Sequence, residues 1–313
     1  MIIPSITIIL PVYNGGNYLI ESVNSVLQQS LSNFELLIID DCSNDGSWEY
    51  LNNINDDRIQ LFRNATNKGL FYNLNFLIEK SNSDLIKLWS QDDIMNPNCL
   101  RSIVDFHNTN KNLGFSYSQR EMMNEFGQIK QVVNNDNTPE IISKDLHARI
   151  AYYTGSVAGN IANVCINKIA LSKVGLFNES MKISADFDMW VRMAEYFEIG
   201  HINSRLIKLR DHTGQLSRQE KLFANHVEED AQVYKYLNGY IDYKLKHDSR
   251  YYFVHYKLLY YYTLMIKSIL KGAFTSAYRI GKAISGFENL FFMTVIFFKV
   301  KLLAIKPKPF SIR

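Results

Sequence analysis

The sequence predicts an α/β protein: a mostly parallel sheet flanked by helices, followed by a helical C-terminal region. Short apolar runs at Ile6–Leu10, Glu35–Ile39, Ile59–Phe62 and Leu85–Trp89 alternate with segments whose apolar residues recur at helical spacing. That β-α-β-α-β-α-β order closes into a parallel sheet with crossover helices. From about Leu216 onward the pattern is helical and rich in Tyr and Phe, without strand signals. The expected division is therefore a domain of residues 1–217 and a helical region of residues 218–313.

The first strand, Ile6–Leu10, is β-branched and bracketed by Pro4 and Pro11, and Asn14-Gly15-Gly16 supplies turn chemistry. Leu19, Val23, Val26 and Leu27 then mark a helix. Glu35–Ile39 is a second strand, Trp48–Ile54 a second helix and Ile59–Phe62 a third strand. Leu70–Lys80 is a helix entered through Asn67-Lys68-Gly69. The run Leu85–Trp89 delivers Asp92-Asp93 to a strand end, the edge of an open α/β sheet where ligands bind. After a helix at Leu100–His107, Gly114–Ser118 and Glu121–Asn124 read as strands joined to a turn at Phe126-Gly127-Gln128. Asn134–Glu140 reads as an exposed loop, Ile161–Ile166 as a strand and Ile169–Val174 as a short helix closed by Gly175. A helix beginning near Asp186 presents Phe187, Trp190, Val191 and Ala194 on one face.

Hydrophobic residues make up 47% of the 313 residues, enough for a full core, and the net charge is +3. The charge is unevenly spread. From Lys267 to Arg313 there are nine basic residues against the single acid Glu288, which leaves 25 basic and 30 acidic residues before it. An acidic body with a basic tail argues against nucleic acid as a partner. Cys42, Cys99 and Cys165 are scattered, without zinc-ligand spacing, and suit a reduced cytoplasmic interior. The N-terminus lacks the basic region of a signal peptide, and no run of about 18 apolar residues suggests a spanning helix.

No dinucleotide fingerprint or Walker A sequence is present. What stands in order is Pro11-Val12-Tyr13-Asn14, then Asp40 through Ser47, Asn67-Lys68-Gly69, Gln91-Asp92-Asp93, and Ala185-Asp186-Phe187-Asp188-Met189-Trp190-Val191-Arg192. Each motif alone is weak; an acidic residue after a strand is commonly a helix cap. As an ordered set, over roughly residues 4–217, they resemble family 2 glycosyltransferases of the GT-A fold, of bacterial surface-polysaccharide type.

The resemblance implies an inverting transfer of sugar from a nucleotide-diphosphate donor, with uridine as the expected base, to a glycan or lipid-linked glycan hydroxyl. It implies Mn²⁺ or Mg²⁺ as cofactor. It places Pro11, Tyr13, Asn14, Asp41, Asn67, Lys68, Gly69 and Asp92 on the nucleotide, and Asp93 and His212 on the metal. Asp186 becomes the general base that deprotonates the acceptor. Arg210, in the segment Leu209–Ser217, is expected to reach phosphate. The chain departs from the family pattern at Ser90, where an Asp is usual, and at Ala185, where a Glu is usual. These roles suit the residue types: an aromatic face with an acceptor reads a planar base, and carboxylates share a hard cation with phosphate.

Leu290–Phe298 is a nine-residue apolar run followed by Lys299, Lys301, Lys306 and Lys308, too short to cross a bilayer but suited to the surface of one leaflet. Peripheral membrane contact at the cytoplasmic face of the cell membrane is the expectation, with packing on the domain or on a second subunit as its rival. Two other functions are weighed. A sugar nucleotidyltransferase would need a cationic phosphate loop after the first strand, and Asn14-Gly15-Gly16-Asn17 offers no cation. A non-catalytic nucleotide-sugar-binding membrane scaffold draws on the missing acid at position 90.

Overall fold

The structure is a computed structural model that describes residues 3–132, 138–215 and 219–310. Residues 134–137 of the expected loop and Leu216–Ser217 of the expected Arg-His segment lie outside the described residues. The chain forms two compact units. One comprises Met1–Ser143, Ala158–Glu179 and Arg192–His212; the other comprises Lys144–Val157, Ser180–Val191 and Thr213–Arg313.

The first unit is built on a mixed ten-stranded sheet. Its N-terminal half is β1 (Ile6–Val12), α1 (Gly16–Leu27), β2 (Phe34–Asp40), α2 (Ser47–Asn52), β3 (Ile59–Arg63), α3 (Leu70–Lys80) and β4 (Leu85–Leu88). These four strands are parallel in the order β3-β2-β1-β4. Every residue of β2 is buried, and all but Pro11 of β1, as a parallel sheet covered on both faces requires. Leu19, Val23 and Val26 of α1 pack into the core formed with Ile6, Ile8 and Leu10.

The remaining strands are β5 (Ile94–Met95), β6 (Leu113–Asn124), β7 (Ile129–Val132), β8 (Ile141–Ile142), β9 (Val164–Asn167) and β10 (Glu198–Asp211). Helix α4 (Cys99–Thr109) precedes β6. The two strands expected at 114–118 and 121–124 are one continuous strand. The strand expected to start at Ile161 starts at Val164, because Asn160 accepts the Ala162 N–H (2.7 Å) and winds Ile161–Asn163 into a 3₁₀ turn. Strand β10 has no clear period-2 signal. It pairs with β6 through repeated register shifts, which break the alternation that a sequence reading needs. Helix α6 (Lys168–Val174) ends at Gly175 as expected, with φ +78°.

The second unit is helical: α5 (Lys144–Thr154), the start of α7 (Ala185–Tyr196), α8 (Phe223–Tyr240), α9 (Tyr243–Tyr252), α10 (Leu259–Leu270), α11 (Phe274–Ser285) and α12 (Leu290–Phe297). Aromatic rings fill its core. Tyr234 contacts Tyr152, Phe187 and Phe253 at centroid distances of 5.8, 5.4 and 4.7 Å. A π-helical stretch, Phe253–Leu258, joins α9 to α10 and carries the buried Lys257. Gly155 (φ +89°) makes room for that lysine, since a Cβ there would stand 2.5 Å from Nζ. Among the described residues no single helix is long and apolar enough to cross a membrane; Phe274–Ser285 and Leu290–Leu302 pass only as a pair, bent by 103°.

Candidate active site

In the first unit, β1 lies between β2 and β4 and runs parallel to both, so the loops after these strands share one sheet edge. Side chains of the β2–α2 loop take up the backbone of the β1–α1 turn. The amide N–H groups of Asn14, Gly15 and Gly16 donate to Ser43 Oγ (2.9 Å), Ser47 Oγ (3.0 Å) and Asp45 Oδ2 (2.9 Å). Asn14 Oδ1 in turn accepts the Asn44 N–H. Asn14 (φ +50°) and Cys42 (φ +67°) are held in the left-handed region, which costs on the order of 1–3 kcal/mol each and persists only where surrounding bonds enforce it. Asp45 also accepts the Ser47 N–H (3.1 Å) at the entrance to α2.

Asp41 is buried and organises the Asn67-Lys68-Gly69 loop. Its Oδ1 accepts from the Lys68 N–H (2.8 Å) and Asn64 Nδ2 (2.8 Å), and its Oδ2 from the Gly69 N–H (2.9 Å). Oδ1 is thereby saturated, while Oδ2 keeps one acceptor lobe. Asn67 and Lys68 have exposed side chains. Tyr13 exposes 49% of its surface, and Gln91 braces its backbone from both sides: Oε1 accepts the Tyr13 N–H (2.8 Å) and Nε2 donates to the Tyr13 carbonyl (3.1 Å). Pro11 stands half-buried at the end of β1.

At the end of β4 the two adjacent carboxylates have different surroundings. Asp92 is partly exposed; Oδ2 lies 2.8 Å from His212 Nε2, and Oδ1 accepts from the Ser90 hydroxyl. The usual acid at position 90 is thus replaced by a hydroxyl that bonds the next carboxylate. Asp93 is only 2% exposed and accepts the Arg210 N–H (2.8 Å). Burial, reinforced by the charge of Asp92, pushes its pKa well above the ordinary carboxylate range.

Arg210 does not reach outward to phosphate as expected. It is 1% exposed, with Nε donating to the Asp92 carbonyl (2.9 Å), one terminal nitrogen to the Glu125 carbonyl (3.0 Å) and the other to Glu21 (2.6 Å). Its guanidinium also lies 4.5 Å from the Tyr18 ring, and Tyr18 contacts His212 at 5.2 Å. Arg210 therefore fixes the backbone beneath the acidic pair. The long strand β10 carries it there, and only that strand, missed in the sequence, explains why.

Pro11, Tyr13, Asn14, Asp41, Asn67, Lys68, Gly69, Asp92, Asp93 and His212 all belong to this unit. Among the described residues no three His, Cys, Asp or Glu side chains cluster as a metal cage. Asp92 and His212 supply one carboxylate and one imidazole, which fits a hard cation held jointly with substrate phosphates rather than an all-protein site.

Asp186 belongs to the second unit, in the first turn of α7. The turn before it is clamped by Glu229, 6% exposed, whose carboxylate accepts the consecutive N–H groups of Lys182, Ile183 and Ser184, each at 2.9 Å. Of these only the Ser184 N–H stands at the start of α7, where a buried carboxylate also offsets the helix dipole. Asp186 Oδ1 accepts the Phe187 N–H (2.7 Å). Burial raises its pKa to about 6, with Asp230 adding to the shift and the Phe187 bond and His226 opposing it. Asp230 is itself held low: burial favours protonation, but Lys257 (3.4 Å) and His226 (3.3 Å) outweigh it. Glu229 and Asp230 gave no sequence signal, since acids in a long helix read as solvated.

A mixed sheet of this order, with its loops gathered at one edge, is the GT-A fold of nucleotide-diphospho-sugar transferases. Residues 7–165, just over half of the chain, match the family described as Glycosyl transferase family 2, and the chain belongs to that family. An uncharacterized glycosyltransferase of Rickettsia conorii is 30% identical over 226 residues, 72% of this chain and 36% of that protein. The chain thus spans about a third of that relative's length. The putative colanic acid biosynthesis glycosyl transferase WcaA of Escherichia coli K12 is 26% identical over 230 residues, 71% of this chain and 79% of that protein. Among solved structures, S. aureus TarS 1–349 in complex with UDP-GlcNAc has a TM-score of 0.59 at 17% identity, covering 80% of this chain and 70% of that one. At that identity the likeness establishes the fold.

Proposed function

We propose that the chain is an inverting glycosyltransferase that moves a sugar from a uridine-diphosphate donor to a hydroxyl of a glycan or lipid-linked glycan in surface-polysaccharide assembly. The observation that carries the reading is one sheet edge bearing an exposed Tyr13 ring, an Asp41 oxygen with an acceptor lobe to spare, and the Asp92–His212 pair. The ring suits a planar base and the oxygen a ring N–H such as that of uracil. Lys68, beside the start of α3, favours the anionic diphosphate. In place of the expected Asp93, this reading sets Asp92 with His212 toward the ion, because Asp93 is 2% exposed and already accepts the Arg210 N–H, which leaves it a buried support. Bound Mn²⁺ or Mg²⁺ would neutralise charge on the leaving diphosphate.

Asp186 takes the proton. The acceptor oxygen attacks the anomeric carbon from the side opposite the diphosphate, the carbon–oxygen bond to phosphate breaks, and the nucleotide leaves with the electron pair. A carboxyl with a pKa near 6 is ionised at neutral pH yet more basic than an ordinary aspartate, which suits a general base. TarS, solved with UDP-GlcNAc and with UDP, supports uridine as the base, and the WcaA likeness supports the polysaccharide setting. The nucleotidyltransferase alternative loses ground because all three amides of the β1–α1 turn are already engaged by Ser43, Asp45 and Ser47.

The test is thermal stabilisation by a panel of nucleotides and nucleotide sugars, with Mn²⁺ and with chelator. A ligand bound at a hundred times its Kd adds about 2.7 kcal/mol of stability. UDP and UDP-sugars should raise the melting temperature where GDP and CMP do not; equal responses would remove the base assignment.

A further inference from the structure

The second unit carries two clefts that none of the residues above occupies. One, about 420 Å³, is lined by Lys221, Lys267, Lys271 and Arg279, with Ser276 among them. The other, about 520 Å³, runs over Met265, Ile269, Ala277, Tyr278 and Leu290, with Lys282 as the one cation in its lining. Phe274 lines both, so a basic cleft and an apolar groove share one wall.

The basic cleft is not internally neutralised. Glu220 pairs with Lys271 and Glu228 with Arg279, but Lys221 and Lys267 have no ion pair among the described residues. Ser276 Oγ is buried and has no hydrogen-bond partner there either. The groove is lined by apolar side chains left open to solvent: Ile269 is 42% exposed, Phe274 68% and Tyr278 72%. Grouped apolar exposure of this kind marks an interaction surface. A free anion would use the lysines and leave the groove empty, and an uncharged hydrocarbon would do the reverse. One chemistry uses both: a phosphate head on a long apolar chain. Exposed Phe291, Phe298 and Leu302, interleaved with Lys299 and Lys301, extend the same combination along the chain.

We propose that the two clefts form a single site for a phosphate-bearing membrane lipid, its phosphate against Lys221, Lys267, Lys271 and Ser276 and its chain along the groove beyond Phe274. The proposal stands on the second unit alone and does not depend on the donor reading.

The experiment floats the full chain with vesicles of phosphatidylcholine and of phosphatidylcholine containing phosphatidic acid. Binding is expected to the second and not to the first. Lys267→Glu with Lys271→Glu should weaken it roughly tenfold or more, since each basic residue near an anionic surface contributes on the order of a factor of five. Phe274→Ser, at a position already open to solvent, keeps every cation and should weaken binding about tenfold through lost burial. Unchanged far-UV circular dichroism and an unchanged melting temperature of the same variants report an intact fold. Equal binding to both vesicle types, or unchanged binding by both variants, would overturn the proposal. Release by inorganic phosphate but not by chloride of equal ionic strength would overturn it too, because that behaviour belongs to a free-anion site.

Discussion

The strand-end loops of the first unit and the outer surface of α10–α12 in the second use charge in opposite ways. In the loops the buried and half-buried charges are spoken for, Asp41 by three N–H donors, Asp92 by His212 and Ser90, and Arg210 by two carbonyls and Glu21, while Lys68 stays exposed. Around α10–α12, Lys267 has no ion pair among the described residues and lines a cleft with the exposed Phe274, which also borders the groove of the exposed Tyr278. The first arrangement is complete within the fold, so its residues serve stability and binding together. The second is left open to solvent, so its residues contribute less to the fold and are available to a partner.

Asp186 offers the largest effect, because it lies in the second unit yet is set in place as tightly as anything in the loops. Asp186→Asn should reduce transfer roughly 10²–10⁴-fold while leaving UDP affinity unchanged, as loss of a general base does. In wild type, kcat/KM should rise with pH to a plateau above about 6. The stability effect has the opposite sign. The folded-state pKa is raised from 3.8 to about 6, so ionising Asp186 weakens the fold as pH climbs through that interval. Asp186→Asn should remove this loss, and a variant melting lower than wild type at pH 7 would contradict it.

Arg210 against Lys267 sharpens the contrast directly. Arg210→Met removes the donors to the Asp92 and Glu125 carbonyls and returns the half-exposed Glu21 carboxylate to water, and unfolding in urea should show a loss of about 2–3 kcal/mol. Lys267→Glu, on the open surface, should stay within about 0.5 kcal/mol of wild type. Similar losses for the two would mean that the basic cleft is part of the fold after all.

This contrast also explains what the sequence disclosed. The parallel half of the sheet was legible because β1 and β2 are continuous buried runs, and the loop motifs were legible because turn chemistry is local. Strand β10 was not, since its bulged pairing with β6 breaks any period. Missing it hid the role of Arg210, which on a flexible loop would be free for phosphate but at the end of a buried strand is not. Glu229 was illegible for another reason: its partners are the amides of residues 182–184, some 45 positions away, and only folding brings them together.

His212 tests whether the completeness of the loops includes a cation. With Mn²⁺ present, His212→Ala should weaken UDP binding about tenfold, the scale on which ligand-shell changes act. With chelator the variant and wild type should bind alike. If chelation leaves wild-type affinity untouched, the hydrogen bond between Asp92 and His212 holds a loop rather than an ion site.

Gln91 carries the smallest expected change. It sits one residue past the position where an acid is usual, and it contributes two hydrogen bonds to the backbone of Tyr13. Both bonds are exposed, so Gln91→Ala should cost only about 0.5–1 kcal/mol of stability. The Tyr13 ring would then lose its fixed setting, and UDP affinity should fall about threefold as the ring is ordered on binding instead of beforehand. Uracil-free diphosphate esters should bind the variant and wild type equally, because they never meet the ring. Were both ligand classes weakened alike, Gln91 would be acting on the diphosphate, and the loops would hold their charges for a purpose other than presenting an aromatic face.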